Sequence, residues 1–414
     1  MQVDTLRILD RYVGIPLCGI FTLMRRLAGL GRPQPPLPTP HKVLVIKLSE
    51  MGSTVLAYPA LAELKKRRPE VELFFLVFRQ NAAIIEVLEL GTSSNIVTVD
   101  CESPGRLLAS GLQAMRRLLR ERIDTTIDMD FFSRFTALVS FVVCRGNRVG
   151  HHRYTNEGLY RGNLLTHRVM YSPHVHTSVA FMALTRTLFE DPNDEPHYRG
   201  RIDPKDLILP EYAPASNDVK SVRNKIEAAG MTNNEGQTII LINPNSSDIF
   251  PLRKWPLDYF AQLCDRLLKE LPSSWLVITG VASERQDARA IQERVGDVRC
   301  IDFTGKTNFR ELLALHSIAK VMVTNDSGPA HFASLLRLPT VVLFGPETPL
   351  LYGSMGNKHI DLYADFACSP CVSVYNGKKS PCRENRCLKA ITVDQVLQEV
   401  LTCASMPSAT AQQR

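Results

Sequence analysis

The chain has 414 residues, 44% of them hydrophobic and 22% charged, with two Trp and a formal net charge of +7. That length exceeds one ordinary core and favours two domains of about 150 to 200 residues, and the composition excludes a disordered or membrane-spanning chain. Basic residues are scattered among acidic ones and no helix-turn-helix, zinc-finger or RNA-binding signature is present, so the expected partner is an anionic small molecule or a membrane surface and not nucleic acid.

Taken in chain order, the first feature is an apolar run from Tyr12 to Met24 within "YVGIPLCGIFTLMRRL". It is shorter than the roughly 20 residues that span a bilayer. Asp4 and Asp10 sit among the early basic residues, and Arg25-Arg26 stands where a signal peptide would carry small residues. Two readings stay open: an interfacial helix with Arg7, Arg11, Arg25 and Arg26 near headgroups, or a helix packed on its own domain. "GRPQPPLPTPH", Gly31 to His41, is too Pro-dense for a helix and reads as a stiff spacer. Residues 1–41 are therefore set apart, and a chain lacking residues 1–40 is expected to fold. Ten Cys without a secretion signal point to a reducing cytosol, so disulfides are not expected.

The folded body begins with "KVLVIKLS", a strand, followed by a loop and a helix that ends before Pro69, and then the strand "VELFFLVF". Further strands are expected at Ile96 to Val99 and Thr125 to Met129, with helices at Arg106 to Glu121 and Phe132 to Cys144. "DPKDLILPEYAPASND", residues 203–218, interrupts the periodicity with three Pro and marks a domain boundary, giving domains at 42–215 and 216–403 and a tail at 404–414. Alternation then resumes, with strands at Thr238 to Ile242, Trp275 to Thr279, Cys300 to Asp302, Val321 to Thr324 and Thr340 to Phe344. The helices between them are expected at Val219 to Ala229, Leu257 to Leu271, Glu284 to Val295, Phe309 to Ala319 and Pro329 to Leu336. The fold class is α/β: two Rossmann-like, doubly wound parallel halves facing across a cleft.

"VMVTNDSGPAH" ends a buried strand at Asp326 and starts a helix through Ser327, Gly328 and Pro329. Pro329 suits the first helical turn, and Gly328 lets a ligand approach the backbone. The free N–H groups and the positive end of the helix dipole suit a diphosphate. A capped helix, with Asp326 or Ser327 bonding those N–H groups, is the plain alternative. Other expected strand ends add Ser246, Ser247, Arg253 and Lys254 for phosphate and Glu284 for a ribose diol. Glu284 also fits as a first-turn acid, and Arg253 and Lys254 as solvated charges.

"KLSEMGSTVLAYPALAELKKRRPEVELFFLV", "RKWP", "GVASE", "NDSGPAHFASLLRLPTVVLFGP" and "CLKAITVDQVLQEV" together resemble the ordered motifs of the heptosyltransferase-like glycosyltransferases, family 9, over residues 43–400. The resemblance implies a two-domain GT-B fold and metal-independent, inverting transfer from a nucleotide-diphospho-sugar, commonly ADP-heptose. The acceptor it implies is a lipopolysaccharide core sugar or similar envelope glycolipid. By position, Asp326 and the N–H groups of Ser327 and Gly328 would face the diphosphate, with His331 on the same wall. Arg253 or Lys254 would neutralise the leaving group, and Glu284 would hold the ribose.

The chain departs from the family at one central residue. The first loop usually carries Gly-Asp, the Asp acting as base, and here reads Gly52-Ser53. A serine hydroxyl titrates too high to act alone. Glu50, three residues earlier, is the replacement expected, its pKa raised by partial burial; a helix-start acid with Ser53 as its capping partner is the alternative. "RVGHHRYTNEGLYRG" and "SPHVHTS" place Arg148, His151, Arg153 and His176 where an anionic acceptor would lie, or in exposed loops. Cys368, Cys371, Cys382 and Cys387 have spacings that admit a structural zinc, with an iron–sulfur cluster or free thiols as competitors and no cofactor required for catalysis. The leading function is thus a cytoplasmic glycosyltransferase peripheral to the inner membrane face. A catalytically inactive relative binding a nucleotide sugar or glycolipid is the alternative. An NAD enzyme is disfavoured by the missing G-x-G-x-x-G.

Overall fold

Runs of β-branched and aromatic residues become buried parallel strands in the computed structural model, which describes residues 3–29, 37–48, 50–152, 160–193, 198–231, 237–246, 251–356, 358–375 and 378–405. The chain divides into two units, Met1–Ile208 and Leu209–Arg414, at a point inside the Pro-bearing stretch. In the first unit the strands are β1 (Lys42–Ile46), β2 (Glu72–Phe78), β3 (Ile96–Val99), β4 (Thr125–Asp128), β5 (Asn147–His151) and β6 (His167–Val169). Their spatial order is β3-β2-β1-β4-β5-β6, with Leu44 in register with Phe74 on one side and Thr126 on the other.

The second unit holds β7 (Thr238–Asn243), β8 (Ser274–Ile278), β9 (Cys300–Asp302), β10 (Val321–Asn325), β11 (Thr340–Phe344) and β12 (His359–Tyr363). The order β12-β11-β10-β7-β8-β9 repeats the first topology, counted from β7. Both are doubly wound Rossmann sheets, which open a ligand crevice beyond the carboxyl ends where strand order reverses. In the second unit that point lies between β7 and β10. The core on one sheet face gathers around Trp255 and Phe260, whose rings meet edge to face at 4.9 Å, and includes Val396 and Val400 of the helix Val393–Ser405.

Among the elements outside the sequence expectation are three strands, β5, β6 and β12, and the well-buried helices Thr177–Thr187 and Val393–Ser405. β5 reads as a polar loop, yet all five of its residues are buried. The Arg148 guanidinium explains the discrepancy, because it donates to the carbonyls of Leu164 (2.7 Å), Cys144 (3.0 Å) and Gly146 (3.2 Å). A cation so satisfied is tolerated in a strand.

The N-terminal stretch folds as two helices, Val3–Tyr12 and Gly14–Gly29, laid on the helix Arg134–Val143. Cys18 is buried with Leu138 and Leu164, and Phe21 meets the Phe141 ring edge at 5.6 Å. The Asp10 carboxylate accepts the N–H groups of Arg134 and Phe135, both at 2.9 Å, and pairs with the Arg134 guanidinium at 3.0 Å. Gly162, at φ +70°, allows the close approach, since a Cβ there would lie 2.5 Å from the Thr22 hydroxyl. Of the Pro-rich spacer, residues 31–36 lie outside the described residues; beyond them Pro38 accepts the Asn147 side-chain amide at 2.7 Å. The two N-terminal helices are thus packed on the first unit, and removal of residues 1–40 would uncover Leu138 and Leu164 and take the Asp10 carboxylate from Arg134.

Candidate functional site

The second unit builds its site from the exits of β7, β10 and β11. Asn325, the last residue of β10, donates its side-chain amide to Pro244 O at 2.7 Å and accepts Trp255 N–H at 2.9 Å. Trp255 is in turn fixed by its indole N–H, which donates to Ile391 O at 2.9 Å. Asn385 donates to Leu252 O and Lys254 O, at 3.1 and 2.7 Å. The "RKW" segment is therefore clamped on both sides, and Arg253 is delivered into a buried charge cluster. Its Nη1 stands 3.2 Å from Glu347 Oε2 and 3.5 Å from Asp326 Oδ2, while Lys378 Nζ is 3.8 Å from Glu347 Oε1. Burial pushes the Asp326 carboxyl up to about 8; Arg253 opposes the shift and Glu347 adds to it.

The helix Gly328–Leu335 starts directly after this carboxyl with Pro in its first turn. Ser327 takes the N-cap place without a side-chain cap bond, and its hydroxyl lies 3.2 Å from the Thr324 hydroxyl instead. The plain capped-helix alternative is thus not what forms, and the helix start keeps its anion-binding character. His331 is buried on the first turn of this helix and Ser246 is buried at the β7 exit. Ser247 lies outside the described residues.

Glu284 is folded back on its own turn, its carboxylate accepting Val281 N–H at 2.8 Å. Gly280 makes room for it, since a Cβ there would meet Glu284 Oε2 at 2.6 Å. Lys254 pairs with Asp287 at 3.6 Å. Glu347 and Lys378 escaped the sequence reading; the available signal was a Gly-Pro-Glu at a strand exit, the same carboxylate-after-strand pattern as Asp326.

In the first unit, Glu50 precedes the buried helix Met51–Arg67 with a left-handed backbone, φ 65° and ψ 86°. Glu50 is exposed, so the expected partial burial is corrected: its place at the left-handed residue before the helix leaves it open to solvent. Ser53 is not a capping partner either, because its hydroxyl donates to Glu50 O at 2.9 Å. The β1 and β4 exits carry a buried pair missed in the sequence, Lys47 Nζ to Asp130 Oδ1 at 3.4 Å, with Asp130 Oδ2 accepting Leu48 N–H at 2.7 Å. Beneath it, Asp128 pairs with the fully buried Arg161.

Of the expected acceptor contacts, Arg148 and His151 sit in β5 and not in an exposed loop, which corrects the exposed-loop reading of that stretch. The His151 ring is stacked at 5.6 Å on Phe131, and burial, then Arg161, hold its pKa down to about 3. His176 caps the helix Thr177–Thr187, its Nδ1 accepting Ser178 N–H at 3.3 Å. Arg153 lies outside the described residues. The ten Cys are free thiols. Among the described residues no three His, Cys, Asp or Glu are grouped to hold a metal. Cys382 Sγ instead donates to Glu384 O at 2.9 Å, and Ser380 donates to Cys371 Sγ at 3.2 Å.

The sequence profile described as glycosyltransferase family 9 (heptosyltransferase) matches residues 112–380, more than half of the chain. The chain belongs to glycosyltransferase family 9. It is 25% identical over 171 residues to lipooligosaccharide heptosyltransferase 2 of Campylobacter jejuni, a match covering 40% of this chain and 51% of that one. The alignments thus span about half the length of the first curated relatives. Lipopolysaccharide heptosyltransferase 1 of Campylobacter coli is 22% identical over 77% of this chain and 89% of its own. The solved structure of Escherichia coli ADP-heptose lps heptosyltransferase II superposes with a TM-score of 0.65 at 19% identity, covering 88% of this chain and 98% of that one. The fold of this family member is GT-B, with two Rossmann-like units.

Proposed function

We propose that the chain is an inverting glycosyltransferase that moves heptose or a related sugar from a nucleotide-diphospho-sugar, ADP-heptose foremost, to a lipopolysaccharide-like or other envelope glycolipid. The observation that carries this reading is the uncapped helix start at Ser327-Gly328, set beside Arg253 at the strand-order switch of the second unit. Fixed donors and cations aimed where charge develops are the main device of such transfer. In the reaction an acceptor oxygen bonds to the anomeric carbon as the bond from that carbon to the diphosphate breaks. The electron pair leaves on phosphate oxygen, and the acceptor proton passes to a base.

Arg253 and Lys378, with the N–H groups of Ser327 and Gly328, receive the leaving charge. Burial raises the Asp326 carboxyl, so that in its protonated form it meets the diphosphate as a hydrogen-bond donor and not as a repelling anion. Ser246, Ser247, Lys254 and His331 complete the phosphate wall, and Glu284 turns from Val281 N–H to the ribose. No metal takes part in the transfer. Glu50 is the base, with Arg153 and His176 as acceptor contacts. Arg148 and His151 instead support β5. The site of action is the cytoplasmic side of the inner membrane.

One observation favours the inactive binding reading: Ser53 stands at the family Asp position and spends its hydroxyl on Glu50 O. Screening purified protein against nucleotide-diphospho-sugars, then identifying products by mass spectrometry, tests both. A transferred sugar supports the enzyme; tight donor binding with no product from any acceptor supports the binding protein.

A further inference from the structure

We infer that the outward face of the two N-terminal helices is a seat for an anionic lipid surface. The inference does not rest on the sugar-transfer reading. On a surface helix the inner stripe is normally apolar and the outer face polar. In Gly14–Gly29 the inner side is already satisfied by Cys18, by Thr22, whose hydroxyl accepts Asn163 N–H at 2.9 Å, and by Arg25, which donates to Leu165 O at 3.3 Å. The outer side nevertheless carries Ile20, Leu23, Met24 and Leu27, all between 55 and 60% exposed. Their i, i+3, i+4, i+7 spacing makes one continuous apolar stripe. On the preceding helix Tyr12 and Leu9 are exposed as well, at 70 and 51%. Scattered exposed apolar residues need no explanation, but an aligned stripe does.

The charges around the stripe decide what covers it. Arg11 and Arg26 are exposed beside it, whereas the Asp10 carboxylate is turned inward onto Arg134 and Ser133. Apolar residues with outward arginines match the boundary between acyl chains and anionic headgroups. A second copy of the same face would set arginine against arginine, which disfavours self-pairing. No helix among the described residues is long and apolar enough to cross a membrane. The helix Gly14–Gly29, about 24 Å long at 1.5 Å per residue, is also tied along its inner side, so it lies flat in the interface.

Flotation of the full-length chain with vesicles of phosphatidylcholine alone, and of phosphatidylcholine mixed equally with phosphatidylglycerol, tests this without any glycolipid present. The wild type is expected to float with the mixed vesicles and to lose binding as salt rises. The double variant Leu23→Asp/Leu27→Asp should bind at least tenfold more weakly, and each of Arg11→Gln and Arg26→Gln about five-fold more weakly on the anionic vesicles, one charge near such a surface being worth about that factor. These side chains are exposed, so the unfolding midpoint and calorimetric nucleotide affinity should stay at wild-type values. The proposal is overturned if the wild type floats with neither vesicle, if it floats equally with both, or if Leu23→Asp/Leu27→Asp binds as wild type. A wild-type dimer dissolved by that variant, with no flotation, assigns the face to a second copy instead. Failure here leaves donor binding untouched, and failure of donor binding leaves flotation untouched.

Discussion

Asn325 accepts the backbone N–H of Trp255 at 2.9 Å, so the residue that ends β10 before the Asp326 turn also sets the segment carrying Arg253. Asn325→Ala removes this bond and the one to Pro244 O. Leaving such buried groups unsatisfied costs about 1–3 kcal/mol each. Urea unfolding should show the loss, and calorimetry with ADP should show weakened binding because Arg253 is no longer held. Full ADP affinity in a destabilised variant would detach Arg253 placement from Asn325.

Arg253 and Lys254 are adjacent but differently employed, the first facing two buried carboxylates and the second paired with Asp287. A charge-assisted hydrogen bond is worth about 1.5–3 kcal/mol, so Arg253→Met should weaken ADP binding roughly 10- to 150-fold. Lys254→Met should weaken it less. Equal losses would mean that the ion pair with Asp287 does not hold Lys254 back.

The Asp326 carboxyl, raised to about 8 from the ordinary aspartate value of about 3.8, gives stability a definite pH dependence. Between these limits the native state binds more protons than the unfolded one, so this contribution is complete below about pH 4 and is lost as pH rises through about 8. Asp326→Asn cannot lose a proton. The denaturation midpoint of the wild type, measured against that of Asp326→Asn, should therefore fall progressively from pH 4 to 8. A constant difference would refute the assignment.

Asp128 and Arg161 are both fully buried, and burial lifts Asp128 to about 6 despite the cation beside it. Removing one member of such a pair strands the other, at about 3–5 kcal/mol. Arg161→Met should destabilise the first unit by that amount, with Asp128→Asn in the same chain recovering a large part. An additive double variant in denaturant titrations would mean that the two side chains do not couple.

Glu50→Gln preserves shape while removing basicity. A positioned base contributes about 10²- to 10⁴-fold, so turnover should fall on that scale while donor affinity stays near wild type. Ser53→Ala should matter less. Normal turnover by Glu50→Gln, measured by steady-state kinetics on the identified substrates, would move the base elsewhere.

Much of the fold was legible because buried parallel strands are written as uninterrupted apolar runs: "VELFFLVF" and "TVVLF" have few alternatives. β5 was not legible, since its burial depends on carbonyls that meet Arg148 only after the chain folds. The Asp326 turn was readable from local chemistry, Pro and Gly at a strand-to-helix junction. Glu347 and Lys378 were not, because each matters through a partner distant in sequence. Glu284 shows the converse: its bond to Val281 N–H, three residues earlier, is local and readable from sequence as that of a first-turn acid.

The seat of the N-terminal helices also orders events in time. Cys18 and Arg25 meet Arg134 and Asn163, partners 116 and 138 residues further along the chain. At a synthesis rate of about 5–20 residues per second, those partners leave the ribosome roughly 6 to 28 seconds after the helices do. Through that interval both faces of Gly14–Gly29 are bare, so a nascent chain meets chaperones and lipid with the inner face uncovered as well as the outer one.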